Sequence, residues 1–242
     1  MFPKIDNEEE FVARIEKICV VHQEAIAIQS DIVVSSSDEK TGIQALNHLK
    51  ILPMEIGKNK RIEAEYTRNG WTCLIASRNI ATGALNAYQL GQTRKEEDYL
   101  QHIQSIYATA PSKKHIIICD QLNTHKSASL VEWVASICYK DIELGTKGKE
   151  GILKSQKSRM TFLENEKHQI QFLYTPKHCS WINQIENWFA ILQRKIIKQG
   201  QFSSVDELEN NITEFITYYN DFLAKPVKWV FTAEKYRHKL RI

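Results

Sequence analysis

The sequence has few of the features that mark secreted, zinc-binding or membrane-spanning proteins. Its five cysteines are scattered, odd in number and never form a CxxC pair, so neither a disulfide framework nor a zinc ribbon is indicated. No apolar run approaches the roughly 20 residues of a membrane span, and the N-terminus lacks the charged-then-apolar pattern of a signal peptide. We therefore expect a soluble intracellular protein with reduced thiols and no membrane partner.

The chain also lacks a large excess of charge of either sign. It has 32 Lys and Arg against 29 Asp and Glu, a formal net charge of +3. This balance excludes a polybasic protein that binds nucleic acid by bulk charge, but it neither demands nor excludes nucleic acid as a partner. With 242 residues and 43% hydrophobic content, the chain is long enough for one well-packed domain with an elaboration.

Apolar periodicity predicts alternating helices and strands, and hence an α/β domain with a mixed sheet covered by helices. The predicted strands are Asp31–Ser37, Gly70–Ala76, Ala84–Leu90, His115–Cys119 and Ile170–Tyr174. Three predicted helices begin at capping-box patterns, Asn7–Glu10, Thr93–Glu96 and Ser204–Glu207. A fourth follows Asp120, and a fifth begins with Ser180 as its N-cap. Two less regular stretches interrupt this order: 47–68, a lysine-rich loop or β-excursion, and 140–168, which is polar and weakly periodic.

Three carboxylates occupy positions that suit metal binding. Asp38 and Asp120 each follow a predicted strand, where side chains of α/β sheets point into a crevice. Glu186 lies on a helix beside an apolar stripe, so we expect it to be semi-buried and to need a partner. Three carboxylates match a hard divalent cation such as Mg²⁺. The alternatives are that Asp38 caps a turn, that Asp120 caps the next helix and that Glu186 pairs with a lysine.

Three blocks of sequence carry a resemblance to a known family. In chain order they are Asp38–Leu46 (DEKTGIQAL), Asp120–Lys126 (DQLNTHK) and Ser180–Phe189 (SWINQIENWF). Together they resemble the catalytic blocks of DDE transposases of the Tc/mariner superfamily, in its bacterial insertion-sequence branch. The resemblance extends over nearly the whole chain, from about Asn7 to Phe231.

The resemblance implies an RNase H-like fold, a mixed sheet flanked by helices, with Asp38, Asp120 and Glu186 as catalytic metal ligands. The implied cofactor is Mg²⁺ or Mn²⁺, as two ions about 4 Å apart that hold the attacking and leaving oxygens of a phosphodiester. Asn123 and His125 are candidates for contacting a phosphate or the second metal shell. Their alternative roles are helix capping by Asn123 and a surface position for His125.

The chain departs from the family in two respects. Full-length members carry an N-terminal helix-turn-helix region that reads transposon ends, and this chain begins where that region should have ended. We expect that region in a separate reading frame, lost or removed. The separation of Asp120 from Glu186 is also longer than usual, so we expect an insertion at about 140–169 before the last catalytic helix. The predicted organisation is an N-terminal helix (1–30), the catalytic domain (31–223) and a basic tail (224–242).

The resemblance implies metal-dependent DNA cleavage and strand transfer at transposon ends. Its implied partners are transposon-end and target DNA, a second copy of the chain as a homodimer on DNA, and an upstream helix-turn-helix polypeptide, in a bacterial cytoplasm near the nucleoid. Two alternatives stay open: a non-catalytic DNA-binding or dimerising remnant, and an RNase H-like nuclease that does not transpose. Candidate DNA contacts in the lysine-rich stretch are Lys58, Lys60, Arg61 and Arg68, although a solvated loop is nearly as compatible with that composition.

Overall fold

The computed structural model describes residues 7–48, 51–52, 56–57, 61–62, 65–232 and 234. The strands are β1 (Ile32–His48), β2 (Ile51–Leu52), β3 (Arg61–Ile62), β4 (Tyr66–Asn79), β5 (Leu85–Gly91), β6 (Lys114–Cys119) and β7 (Ile170–Tyr174). The α-helices are α1 (Glu8–Glu24), α2 (Glu96–Ala108), α3 (Ala128–Cys138), α4 (Gln156–Leu163), α5 (Gln184–Leu192) and α6 (Val205–Tyr218). Each predicted helix and strand therefore has a counterpart.

The main sheet has five strands in the order β5-β4-β1-β6-β7. The neighbours β5, β4 and β1 pair antiparallel, whereas β1, β6 and β7 are parallel. The strands β4 and β5 form a hairpin, and Gly83 in their connection has a positive φ of 77°. Parallel strands need crossover connections, and the helical segments between β5 and β6 and between β6 and β7 provide them. The fold is the mixed sheet flanked by helices that the sequence predicts.

Side chains that alternate along the strands build a core on each face of the sheet. Ile117 and Phe172 point to the face covered by α2, α3 and α4. The neighbouring Ile116, Ile118 and Leu173 pack against α1 on the opposite face. On that opposite face, Leu74 and Ala76 of β4 pack with α5 and α6. The period of two places apolar residues on both faces, as expected for a central strand covered on both sides.

β1 is much longer than the sequence pattern predicts. The expected strand stops at Ser37, but β1 runs to His48. Its parallel pairing with β6 does end close to the expected point, with Ser36 opposite Ile118. Beyond it, β4 remains as an antiparallel partner, with Asp38 opposite Ala76. The polar residues after Ser37 hide this continuation because one edge of β1 is no longer paired.

Two helix starts differ from their predicted capping residues. At α2 the acidic partner is Asp98, whose carboxylate accepts hydrogen bonds from the Thr93 hydroxyl (2.6 Å) and the Lys95 amide (2.7 Å). The predicted N-cap Ser180 instead opens a 3₁₀ turn, and α5 starts later with Asn183 at the N-cap position. The Asn183 side chain does not cap the helix, because it is used in contacts with β1.

The segment at 140–169 is a folded part of the domain. It contains a 3₁₀ turn (Ile152–Lys154) and α4, and it buries Leu153 and Leu163 in the core beside α2 and α3. Buried Arg159 donates hydrogen bonds to the carbonyls of Lys126 (2.6 Å) and Leu153 (3.0 Å). The segment is thus partly helical, and its apolar residues complete an existing core and need none of their own.

The described part of the C-terminal tail packs onto α1. The ring of Trp229 stacks on that of His22 with centroids 4.4 Å apart, and the Val227 amide donates to the Ile80 carbonyl. All five cysteines are free thiols. No helix within the described ranges is both long and apolar enough to cross a membrane.

Candidate active site

Asp38 and Asp120 lie side by side at the same level of two adjacent strands. The parallel register of β1 and β6 runs from Ile32 opposite Lys114 to Ser36 opposite Ile118, and both aspartates lie two positions beyond that last pair. Asp120 directly follows β6, so its carboxylate leaves the buried strand at the carboxyl edge of the sheet. The sequence predicted this proximity of the two carboxylates from their positions after strands.

Asn183 attaches the start of α5 to the strand that carries Asp38. Its side-chain amide donates to an Asp38 carboxylate oxygen (2.9 Å) and to the Ser37 carbonyl (3.1 Å), and its carbonyl oxygen accepts from the Ser36 hydroxyl. The Ser36 hydroxyl also accepts from the Ile185 amide (3.0 Å). Asn183 is fully buried. This network fixes the first turn of α5, which carries Glu186, relative to Asp38.

Glu186 is more exposed than the apolar stripe beside it suggests. The residues Ile185 and Trp188 are buried, whereas Glu186 is exposed on the side of α5 away from the core. The positive charge of Lys40 acts to lower the pKa of Glu186, but the two side chains form no ion pair. Its carboxylate is nevertheless partly desolvated, as the predicted semi-buried position implies, and Glu186 lies at the edge of the stripe.

His125 is fully buried between two carboxylates. Its Nδ1 lies 2.8 Å from Oδ1 of Asp120, and its Nε2 lies 3.0 Å from Oε1 of Glu39. Glu39 is also buried, with a side-chain exposure of 2%. The surface alternative for His125 is therefore wrong. The imidazole holds one carboxylate oxygen of Asp120 in place, together with the Leu122 amide, which donates to the same oxygen (2.8 Å).

The pKa directions of these groups follow from burial and mutual charge. Burial and the charge of Asp120 raise the pKa of Asp38 to about 7. Burial and Asp120 likewise raise the pKa of Glu186, against the opposing effect of Lys40. Burial also acts to raise the pKa of Asp120, but its hydrogen bond to His125 outweighs this and leaves the pKa lowered. Burial lowers the pKa of His125, yet hydrogen bonds to Asp120, Cys119 and Glu39 hold it well above 6.5.

The carboxylates suit a divalent cation in their chemistry. Asp38 and Asp120 repel each other in a partly buried setting, and Asp120 repels Glu186. Oxygen ligands of this kind are what Mg²⁺ and Mn²⁺ prefer. Within the part of the chain that the structure describes, however, no three His, Cys, Asp or Glu side chains already surround a common metal position. The donor set fits, while its final arrangement around an ion requires side-chain adjustment.

The other predicted residues have different outcomes. Asn123 is exposed and makes no side-chain capping bond, so the capping alternative for it is not supported. Lys58 and Lys60 lie outside the described residues, and only the backbone of Arg61 is described, in β3. Arg68 is exposed on β4, with its guanidinium bonded to the Tyr66 hydroxyl (3.3 Å). The predicted DNA contacts therefore stay predictions.

Sequence reasoning missed two residues of this site, Glu39 and Asn183. Side chains alternate along a strand, so Glu39 points to the opposite face from Asp38, toward His125. An acid directly after Asp38, with a histidine in the second block, was the available signal. Asn183 lies one turn before Glu186 on the same segment, which was also visible. Neither sequence feature identifies a site residue unless the register of β1 against β6 is known.

Comparisons with known proteins bear on the fold and on the family of the chain. A crystal structure described as a Mos1 transposase paired-end complex with left transposon end matches at a TM-score of 0.50 and 14% identity, over 90% of this chain and 57% of that one. A pre-cleavage Mos1 transpososome matches at a TM-score of 0.51 and 13% identity, over 100% of this chain and 61% of that one. A Mos1 mariner paired-end complex with Mn matches at a TM-score of 0.34 and 16% identity, over 92% of this chain and 66% of that one.

The chain thus spans 57% and 61% of the first two neighbours, and at these identities the likeness shows the fold alone, which is RNase H-like. A comparison with curated protein sequences gave no match. The model of an integrase core domain matches residues 186–240. The model described as "DDE superfamily endonuclease" matches residues 33–209, well over half of the chain and the whole of the site above. The chain belongs to the DDE superfamily endonuclease family.

Proposed function

We propose that this chain is the catalytic domain of a transposase that cleaves DNA and transfers strands in a metal-dependent reaction. The observation that carries the proposal is the level placement of Asp38 and Asp120 on adjacent parallel strands, with α5 and Glu186 tied to Asp38 through Asn183. Asp38 is buried and is repelled by the half-exposed Asp120, which is costly, and such arrangements are typical of functional sites.

In this proposal Asp38, Asp120 and Glu186 hold two divalent ions, Mg²⁺ or Mn²⁺. When bound, the ions supply Lewis-acid stabilisation of the phosphodiester oxygens. His125 and Glu39 keep one oxygen of Asp120 fixed, so that the other oxygen is presented to the site. Water attacks the phosphorus and the P–O3′ bond breaks, which leaves a 3′ hydroxyl on one strand end and a 5′ phosphate on the other. That 3′ hydroxyl then attacks a phosphodiester of target DNA, forms a new P–O bond and displaces the 3′ oxygen of the target strand, which leaves as a hydroxyl. Both steps are in-line displacements at phosphorus, so one site serves both.

One neighbour is a transposase paired-end complex with a transposon end, and the other is a transpososome. We propose correspondingly that this chain acts on DNA as a homodimer in a bacterial insertion-sequence system, in the cytoplasm near the nucleoid. We assign recognition of a specific end sequence to a helix-turn-helix region outside these residues. Asn123 is a candidate phosphate contact in this scheme, as are Lys58, Lys60, Arg61 and Arg68.

The test is cleavage of DNA by wild type, Glu186→Gln and the matched control Glu132→Gln, with Mg²⁺, with Mn²⁺ and with EDTA. Glu132 is an exposed glutamate on α3. We expect metal-dependent cleavage by wild type and Glu132→Gln and none by Glu186→Gln, because a neutral amide loses a ligand charge at nearly constant volume. Substantial cleavage by Glu186→Gln refutes the site.

A pre-cleaved end with a free 3′ hydroxyl separates the alternatives. Joining of that end to a plasmid supports a transposase, whereas cleavage without joining supports a plain nuclease. Binding with neither reaction supports the non-catalytic remnant.

A further inference from the structure

A cleft beside Asp120 has the composition of an anion site. It has a volume of about 480 Å³, and its walls carry three lysines, three amides, one thioether and no carboxylate. The lining residues are Gln121, Asn123, Lys126, Gln156, Lys157, Met160 and Lys177. Positive and amide groups without a compensating acid favour a negatively charged ligand.

The fold brings these residues together from three separate segments. β6 and β7 are adjacent and parallel, so the loops that follow them meet at one edge of the sheet. The Gln121 side chain donates to the Thr175 carbonyl (3.0 Å), which joins the two loops two residues before Lys177. Arg159 fixes α4 against the first loop through the Lys126 carbonyl. The inserted segment therefore forms one wall of the cleft.

Lys126 brings a positive charge to the wall of the cleft. Its stem is buried, and the residue as a whole is 6% exposed, but the ammonium nitrogen at its end reaches solvent. Cys119 and Asp120 attract this charge, while Lys177 and Arg159 repel it. The positive charge of Lys126 therefore faces any ligand bound in the cleft, where it adds to the charges of Lys157 and Lys177.

We propose that this cleft binds a backbone phosphate of the DNA strand that passes Asp120. Lys157 and Lys177 are exposed at its rim, so the cleft is open enough to admit a polymer. Lys157 lies in the first turn of α4, where the helix dipole adds to the attraction for an anion. The inference rests on the proposed function for the identity of the polymer. The inserted segment then increases affinity for DNA near the carboxylates and takes no part in the chemistry.

The experiment compares wild type with the double variant Lys157→Gln/Lys177→Gln and with the charge-matched control Lys154→Gln/Lys198→Gln. Lys154 and Lys198 are exposed and lie outside the cleft. Binding of a fluorescein-labelled single-stranded oligonucleotide is measured by anisotropy in EDTA over a range of salt concentrations. Because the cleft is proposed to hold one phosphate, and each lost phosphate contact lowers the slope of log K against log salt by about 0.7, we expect the cleft variant to lose about 0.7 from that slope. The control keeps the wild-type slope, and two oligonucleotides of different sequence weaken equally.

A cleft variant that binds like the control overturns the proposal, since the two proteins carry the same net charge. Titration with inorganic phosphate in a calorimeter tests a free anion as the ligand. Loss of phosphate binding with unchanged oligonucleotide binding also overturns the proposal. The measurement uses no metal, so it is independent of cleavage: a wild type that fails to cut DNA contradicts the proposed function, while the salt slopes still decide about the cleft.

Discussion

The side-chain amide of Asn183 donates a hydrogen bond of 2.9 Å to the carboxylate of Asp38. This contact joins α5, which carries Glu186, to the strand that carries Asp38. The two carboxylates come from distant parts of the chain, so their relative position depends on how the helix is seated. Asn183 does this through its side chain, at the position where most helices use the same side chain to cap themselves.

We predict that Asn183→Ala lowers DNA cleavage more than it lowers stability. The change removes the acceptor of the Ser36 hydroxyl proton and the amide donor to Asp38 and the Ser37 carbonyl, which costs about 1–3 kcal/mol. The change also removes the bonds that hold α5 and Glu186 in position relative to Asp38. The Mg²⁺ concentration for half-maximal cleavage should therefore rise. The matched control is Asn187→Ala, which removes only a bond to Gln184 on the surface of the same helix (3.0 Å). Equal effects of both variants on the metal requirement would contradict a positioning role.

The buried pair of His125 and Glu39 gives a second prediction. His125→Leu should destabilise the fold by about 3–5 kcal/mol, because Glu39 then remains buried without its partner. Adding Glu39→Gln should recover part of this loss, since a neutral amide costs less to bury than a carboxylate. Urea denaturation of the two single variants and the double variant measures the coupling. A double variant no more stable than His125→Leu would show that Glu39 is not held by this pair.

Glu39 and Asn183 show which parts of the site the sequence does not predict. The order of elements and the sheet class follow from apolar periodicity, and the position of Asp120 follows from an apolar run that stops at an acid. Glu39 and Asn183 do not follow from such patterns, because their roles depend on which face of β1 meets α5 and which meets the loop after β6. The length of β1 was missed for a related reason: its second half has one partner strand, so its pattern is polar.

We predict that the free energy of unfolding falls as the pH is lowered, in part because of the lowered pKa of His22. Burial lowers its pKa to about 4, although its ring is bonded to the Ile182 carbonyl (3.1 Å), and Trp229 stacks on it. The unfolded chain therefore binds a proton at a pH where the folded chain does not, so the contribution of His22 is fully present above about 6.5 and is lost as pH falls from there toward 4. Between pH 7 and pH 5 one such group costs about 2 kcal/mol.

Urea midpoints at pH 7 and pH 5 for wild type and His22→Gln test this sign. His102, His115 and His168 have lowered pKa values as well, through burial, so both proteins should lose stability in acid. The variant should lose about 2 kcal/mol less than wild type over this interval. An identical loss in the two proteins would show that His22 titrates normally in the folded state.

The last prediction concerns the segment at 140–169, which is a folded part of the domain. A Gly/Ser linker in place of residues 145–164 would have been tolerated if this stretch were a mobile flap over the DNA-binding face. Leu153 and Leu163 are instead 5% and 0% exposed, packed with residues of α2, α3 and β7. Removing two such side chains and Arg159 should cost well over 4 kcal/mol, a large share of the stability of a domain.

We therefore expect the linker variant to unfold at far lower urea concentration than wild type, or to be insoluble. A milder change separates packing from DNA binding. Leu163→Ala should lower stability by about 2–5 kcal/mol and leave the salt dependence of DNA binding unchanged, whereas Lys157→Gln should do the reverse. A linker variant with wild-type stability would show that the segment is a detachable flap. The expected pair of opposite effects would show that the insertion supports the fold from one side and contacts DNA from the other.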